Sequence, residues 1–291
     1  TAAPGIVDIA VISNGGNPSL AAGSYYLGGL TISNESGPIT GSTLTIPSDV
    51  SIYVETATNE AVLVKGGNII NDGYLDIKNV LSSGSNNTAG AYAMTFGLPA
   101  ALPTVATEYT YSGSGELSID TSAGNNFSGG FLFNGIDANA NLATYKLLFN
   151  GTANFYLSAA TAANGTASTH LMRAIGTGSL NSCKVILGGT GFDFGTESAG
   201  ANNGLLSVSG SGVDVTIAEG TTINMYSNST NPTSSFSMYS FGATAVPNFI
   251  RNKGSISIKG SMARSPLGLS AQSLGVVNFV NDGVIDIDVK S

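Results

Sequence analysis

The sequence predicts an all-β chain of the solenoid kind, on three observations. The first is a recurring five-position unit. Phe279, Asn281, Gly283, Ile285 and Ile287 sit two apart in NFVNDGVIDI, as do Ile69, Asn71, Gly73, Leu75 and Ile77 in NIINDGYLDI, and Ile250, Asn252, Gly254, Ile256 and Ile258 in FIRNKGSISI. A strand turns alternate side chains to one face, so each copy sets apolar, Asn, Gly, apolar, apolar on a single side. The second is that no segment carries a helical apolar period with caps at both ends. The third is that short β-branched stretches are separated throughout by Gly, Asn, Ser and Pro. Repetition of this sort points to stacked units, each burying its neighbour's apolar face. The copies come at uneven intervals, which leaves a β-sandwich or jelly-roll subunit of short strands as the alternative fold. No change of composition marks a boundary, so residues 1–291 are expected to form a single elongated β domain.

In chain order, GIVDIAVIS (5–13) reads as an opening strand. YYLGGLTIS, STLTIP, VSIYVET and AVLVKG follow, punctuated by Pro38 and Pro47. The first clear unit occupies 69–78. Residues 82–108 contain Pro99 and Pro103 and read two ways: one long protruding loop, or a strand AYAMTF with short connections. A looser unit with Gly in place of Asn then appears as Tyr111, Gly113, Gly115, Leu117 and Ile119. Another is Phe149, Gly151, Ala153, Phe155 and Leu157, and a third starts at Ala174, Gly176, Gly178 and Leu180 before breaking off. Residues 157–172 are Ala-rich, but Gly165 and the threonines favour a loop. Strands resume with CKVILGG, FDFGT, LLSVSG and VDVTIAEGTTINMYS, where Val213, Val215 and Ile217 alternate with Asp214 and Thr216. SNSTNPTSS (227–235) is the most turn-rich loop, and the apolar SFSMYSFGATAVPNFI leads into the last two units. Stacked at the roughly 4.8 Å strand spacing with about 25 to 30 residues per turn, the chain would make a rod about 50 Å long.

Composition bounds the function. Hydrophobic residues make up 42%, enough for a continuous core, while charged residues make up only 10%. The surface is therefore solvated by hydroxyls and amides. The net charge is −8 with ten Lys and Arg, so nothing draws nucleic acid or an anionic membrane. No stretch reaches the about 18 apolar residues that span a bilayer, so no membrane insertion is expected. No basic start with an apolar run opens the sequence, so an exported protein would already have lost its signal peptide. Cys183 is the only cysteine, which rules out an internal disulfide. Its KVIL setting reads as a small buried apolar residue.

Candidate chemistry is sparse. His170 is the only histidine, with no nucleophile motif near it, and reads as structural. Asp286 and Asp288 share one face of the last strand, as do Asp72 and Asp76 in theirs. Such pairs could serve as a glycosidase acid and base, but outward carboxylates on a solenoid are ordinarily just solvated. The three arginines, Arg173, Arg251 and Arg264, sit beside no acidic cluster, so the chain is not expected to be an enzyme. GGTGFDFGT (188–196) nearly matches the calcium nonapeptide: Gly188, Gly189, Gly191 and Asp193 fit, and Gly195 stands where a large apolar residue belongs. Asp193 is thus the candidate metal ligand and calcium the candidate cofactor, against a plain Gly-rich turn between strands. Asn34, Asn86, Asn126, Asn150, Asn164 and Asn228 begin N-x-S/T sequons, no more than composition gives by chance. Asn86, Asn164 and Asn228, placed in loops, are the glycosylation candidates. There is no Trp; Tyr25, Tyr26, Tyr226 and Tyr239 are the aromatic faces that a glycan would use.

The units around Asn71, Asn252 and Asn281 resemble the N-x-G-x-I-x-I turns of bacterial surface β-helices, the autotransporter passengers and haemagglutinin-like adhesins. The resemblance implies a right-handed parallel β-helix, exported to the cell surface and mostly non-catalytic. It departs from that family in showing no membrane barrel after the repeats. The leading expectation is an extracellular structural subunit that associates end to end with copies of itself into a fibre, sheath or surface layer. Under a sandwich fold, GIVDIAVIS could instead be donated to a neighbour. The second is a cell-surface adhesin that grips a ligand through residues 82–108 or 226–245. The third is a polysaccharide lyase or hydrolase on the same scaffold.

Overall fold

The computed structural model describes residues 8–13, 15–33, 41–56, 61–79, 92–97, 107–121, 129–135, 143–157, 170–178, 180–195, 204–229, 236–240, 246–262, 267–271 and 276–290. These are strand and tight turn, with no helix among them.

The strands fall into three rows. The first holds β1 (Ile9–Ile12), β3 (Gly29–Ile32), β6 (Val62–Val64), β9 (Tyr92–Phe96), β12 (Gly129–Asn134), β15 (His170–Ile175) and β18 (Gly204–Ser209) as a 7-stranded sheet. A 2-stranded sheet of β21 (Phe236–Ser240) and β24 (Leu267–Ala271) lies beyond, with β21 next to β18. The second row is an 8-stranded sheet of β4 (Ser42–Ile46), β7 (Gly67–Asn71), β10 (Thr107–Ser112), β13 (Ala143–Phe149), β16 (Cys183–Gly189), β19 (Val213–Ile217), β22 (Asn248–Asn252) and β25 (Val277–Asn281). The third begins as a 5-stranded sheet of β2 (Gly23–Leu27), β5 (Val50–Thr56), β8 (Tyr74–Asn79), β11 (Glu116–Asp120) and β14 (Ala153–Tyr156). It resumes as a 4-stranded sheet of β17 (Gly191–Phe194), β20 (Thr222–Ser229), β23 (Ser255–Met262) and β26 (Val284–Lys290).

Every paired strand is parallel to its partner. From β4 on, each strand bonds the one three further along, save at β14/β17 and β18/β21. Three strands therefore make one circuit, and successive circuits lie over one another. A sandwich or jelly roll is assembled from antiparallel hairpins, so this pairing excludes that alternative. Circuits vary in length: some match the expected 25 to 30 residues, as where Ile250 lies over Phe279 and Val185 over Val215, and others are longer, as where Phe131 lies over Met172 and Leu147 over Leu187.

Alternation inside each strand creates the core. In β19, Val213, Val215 and Ile217 are buried while Asp214 and Thr216 are half-exposed, as their spacing predicts. Columns of like residues run through the interior, such as Leu30, Val62, Met94, Phe131, Met172 and Leu206 along the first row. In the middle circuits the filling is aromatic. Phe149 meets Tyr111, Phe131, Phe155 and Phe192 with ring centroids 6.0, 6.0, 6.1 and 4.9 Å away. Of the two readings of 82–108, the strand holds: Tyr92–Phe96 is buried in the first row, and residues 82–91 and 98–106 lie outside the described residues. Cys183 is buried as expected, and burial pushes its thiol up to about 12.

The recurring unit is a corner between the second and third rows. Ile69 and Asn71 end β7, Gly73 turns, and Leu75 and Ile77 open β8, all but the turn glycine fully buried. The looser copy at Tyr111 follows in register: Tyr111 lies over Ile69, and Leu117 over Leu75. The last two copies also coincide, with Asn252 over Asn281 and Ile256 over Ile285. Two copies differ from the spacing. Ala153 lies over Leu117, so FNGTANFYL is displaced by one inward step. Ala174 lies over Val208 in the first row, which puts AIGTGSLNS at another corner and leaves Leu180 exposed on a turn.

Candidate functional site

Two places stand out: the Asn-x-Gly corners, and the break in the third row.

At the corners, circuits approach closely because Gly has no side chain. A Cβ on Gly115 would stand 2.2 Å from Gly73 O, and one on Gly283 would stand 2.1 Å from Gly254 O. The asparagine does more than ease the bend. Asn71 Nδ2 donates to Glu116 O of the next circuit at 2.9 Å and to the Tyr111 hydroxyl at 3.1 Å. Asn252 Nδ2 likewise donates to Val284 O at 3.0 Å, and also to Asn281 Oδ1 at 2.7 Å. Glu116 and Val284 both directly follow a corner glycine, so the two clasps are equivalent. Asn281 has no described circuit above it, and its Nδ2 turns to Gly283 O of its own corner at 3.3 Å. Above this corner the core is open: Ile258 is 2% exposed, but Ile287, in register with it, is 43% exposed.

At the break, β14 ends one sheet and β17 starts the next, with no hydrogen-bonded register between them. A cleft of about 640 Å³ lies there. Phe155 and Phe192, 5.4 Å apart edge to face, both line the cleft and belong to the core. Tyr156, 58% exposed, lies along one wall, and Tyr226 lies on the other side on β20. Two carboxylate–carboxamide pairs flank the opening. Asn154 Nδ2 donates to Glu116 Oε1 at 2.8 Å, and Asn224 Nδ2 donates to Asp193 Oδ1 at 2.7 Å. The lining holds one carboxylate, Asp193, and no Lys, Arg or His.

The residues singled out from the sequence are placed as follows. Asp193 lines the cleft on β17; GGTGFDFGT forms the corner from β16 to β17, with Gly189 and Gly191 at φ 82° and 110°. Among the described residues no group of three His, Cys, Asp or Glu is arranged to hold a metal ion. His170 is buried at the start of β15, opposite Gly204. Asp72 accepts from the backbone and hydroxyl of Ser114 at 2.9 and 3.0 Å, while Asp76 is buried 3.6 Å from Lys78 Nζ. Asp72 thus ties two circuits together, Asp76 pairs within its own strand, and Asp286 and Asp288 are simply exposed. Arg251 is held by Asp214 at 3.3 Å and covers the Phe249 ring at 4.4 Å. Arg173 reaches Ser209 Oγ at 3.4 Å, and residue 264 is outside the described residues. Asn86 and Asn164 are also outside them. Asn228 belongs to β20 rather than a loop, because pairing with β23 continues through Asn228 and Ser261. Of the tyrosines, Tyr26 stacks on Tyr53 at 4.9 Å, Tyr25 bonds Ala21 O at 2.9 Å, Tyr226 lines the cleft, and Tyr239 lies in β21. Asn154, Tyr156 and Asn224 were not singled out; ordinary strand residues, they gain meaning only where two circuits part.

No protein-family model matches this chain, and neither the curated proteins nor the solved structures compared with it give a significant match. Among the described residues no helix is long and apolar enough to cross a membrane.

Proposed function

We propose that the chain is a right-handed parallel β-helix serving as a non-catalytic structural subunit outside the cell, where copies stack end to end into a fibre, sheath or surface layer. The handedness follows from the general rule that parallel strands joined by a crossover in one sheet wind right-handed. The surface setting is supported by the hydroxyl- and amide-rich composition and by the resemblance of the Asn-x-Gly corners to those of surface β-helices.

One observation carries the stacking. Asn71 and Asn252 each clasp a carbonyl in the circuit above, and Asn281 presents the same amide with no described circuit to receive it. Beside it, Ile287 is half uncovered and, among the described residues, no strand pairs with the outer edge of β25 or β26. Another circuit of the same form fits this surface, and the proposal assigns it to a second copy of the chain rather than to a continuation of the same one. The test is sedimentation of the 291-residue chain across a wide range of concentration, with electron microscopy of the same samples. Growth into linear arrays is expected, with Ile287→Lys and Asn281→Ala reducing it. A chain that stays monomeric at every concentration overturns the proposal.

The cleft at β14/β17 favours a second reading, a surface adhesin of the autotransporter-passenger type. It moves the expected ligand site from residues 82–108 and 226–245 to the middle of the third row, with Tyr226 shared.

A further inference from the structure

We infer that the cleft between β14 and β17 binds a neutral carbohydrate ring, held between Tyr156 and the carboxylate–carboxamide pair Asp193–Asn224. This deepens the adhesin reading and rests on it.

Four features of the cleft select that ligand class. Its size, about 640 Å³, lies within the range of small-ligand pockets. Its hydrogen-bonding groups both donate and accept. Each Asn Nδ2 gives one N–H to its carboxylate and keeps the second, while the Asn154 and Asn224 Oδ1 atoms and the second Asp193 oxygen can accept. Such a site suits a ligand whose adjacent groups donate and accept at once, as vicinal hydroxyls do. Its lining holds no Lys, Arg or His, and the chain is net −8, so phosphate, sulfate and uronic acid ligands find no countercharge there. Finally, Tyr156 offers an exposed ring beside the polar groups, the apolar platform on which the C–H face of a sugar rests.

The pairs are held in advance. Asn154 and Glu116 lie on neighbouring strands of one sheet, and Asp193 and Asn224 face each other across β17 and β20 in register. Each carboxylate fixes its neighbour's amide, so little side-chain freedom is lost when a ligand binds. The outer tyrosine stack of Tyr26, Tyr53 and Tyr74 is a less suitable platform, because Tyr26 and Tyr53 lie ring on ring and cover each other.

The test is titration calorimetry of the intact chain with maltose, cellobiose, lactose and N,N′-diacetylchitobiose, alongside calcium chloride and inorganic phosphate. At least one disaccharide is expected to bind at millimolar concentration or better. Tyr156→Ala and Asp193→Ala should each weaken it by roughly tenfold or more, while Tyr26→Ala leaves it unchanged. Both cleft substitutions lie on exposed or half-exposed positions, and unchanged circular dichroism confirms the fold. Binding of none of the four sugars, equal binding by the cleft variants, or a calcium response abolished by Asp193→Ala without any sugar response each overturns the inference. Beads coated with the chain and presented to a glycan surface separate the two readings: adhesion that survives the cleft substitutions sinks the site but keeps the adhesin.

Discussion

Replacing Gly115 by Ala tests the corner stack without touching the core. The added Cβ would lie 2.2 Å from Gly73 O and 2.6 Å from Asp72 C and Gly73 N, all backbone atoms of the circuit below. Ordinary contact begins near 3.4 Å, so the two circuits must part by roughly 1 Å. Overpacking of that order costs about 1–3 kcal/mol, offset by about 0.4–1 kcal/mol because Ala has less freedom than Gly in the unfolded chain. The net loss is about 1–2 kcal/mol. It should appear locally, since stability in stacked repeats is a sum of near-neighbour terms. The bonds nearest the change are Gly115 N to Asn71 O and Glu116 N to Gly73 O, both 2.8 Å. Hydrogen exchange at these two amides is expected to speed up by roughly 5- to 30-fold. Gly220→Ala is the control. Its φ is +81° and its Cβ would meet nothing within 4 Å, so it carries only the left-handed backbone cost, about 1–2 kcal/mol, with no effect on a neighbouring circuit. Unchanged exchange at residues 115 and 116 in Gly115→Ala would refute the close approach of these circuits.

Three further outcomes follow from the same geometry. Asn252→Ala removes the clasp on Val284 O and the bond to Asn281, at a buried position, and should destabilise the last two circuits by about 1–3 kcal/mol, read by urea unfolding. Phe149→Ala empties the centre of the aromatic cluster and should cost about 3–5 kcal/mol, read by the same assay, with β14 and β17 losing protection first. Burial raises the Tyr111 hydroxyl to about 12, against the Asn71 hydrogen bond that lowers it. The neutral form is the folded one, so its contribution is complete below pH about 10 and is lost as pH rises toward 12; roughly 3 kcal/mol should vanish over that window in chemical denaturation. Cys183, also raised to about 12 by burial, adds to the same alkaline loss from about pH 9.

Much of the architecture was legible because inward faces obey a period of two. Ile69, Leu75 and Ile77 point inward, as do Ile250, Ile256 and Ile258, just as their spacing demands. The same period conceals register. A slip of two residues keeps every side chain on its face, so nothing in FNGTANFYL signals that Ala153 sits over Leu117 rather than over a corner glycine. The role of Asn71 was only half legible. Its place at a bend follows from sequence, but its partner Glu116 O is 45 residues away and belongs to the next circuit. The cleft was not legible at all. It exists because β14 and β17 fail to pair, and hydrogen bonds between circuits leave no mark on either strand's own composition. Asp193 drew notice through its glycines, for calcium; beside Asn224, the same carboxylate is an acceptor in a cleft lined by tyrosine.

Disulfide trapping along one outward column tests the central claim most directly. Ser257 of β23 is in register with Asp286 of β26 and with Asn224 of β20. Neighbouring parallel strands lie about 4.8 Å apart, within reach of a disulfide, whereas strands two apart, at about 9.6 Å, are not. Ser257→Cys with Asp286→Cys should therefore oxidise to an internal crosslink in the folded chain, and Asn224→Cys with Asp286→Cys should not. Ready crosslinking of the second pair, or none in the first, would contradict the stacking of circuits in this order.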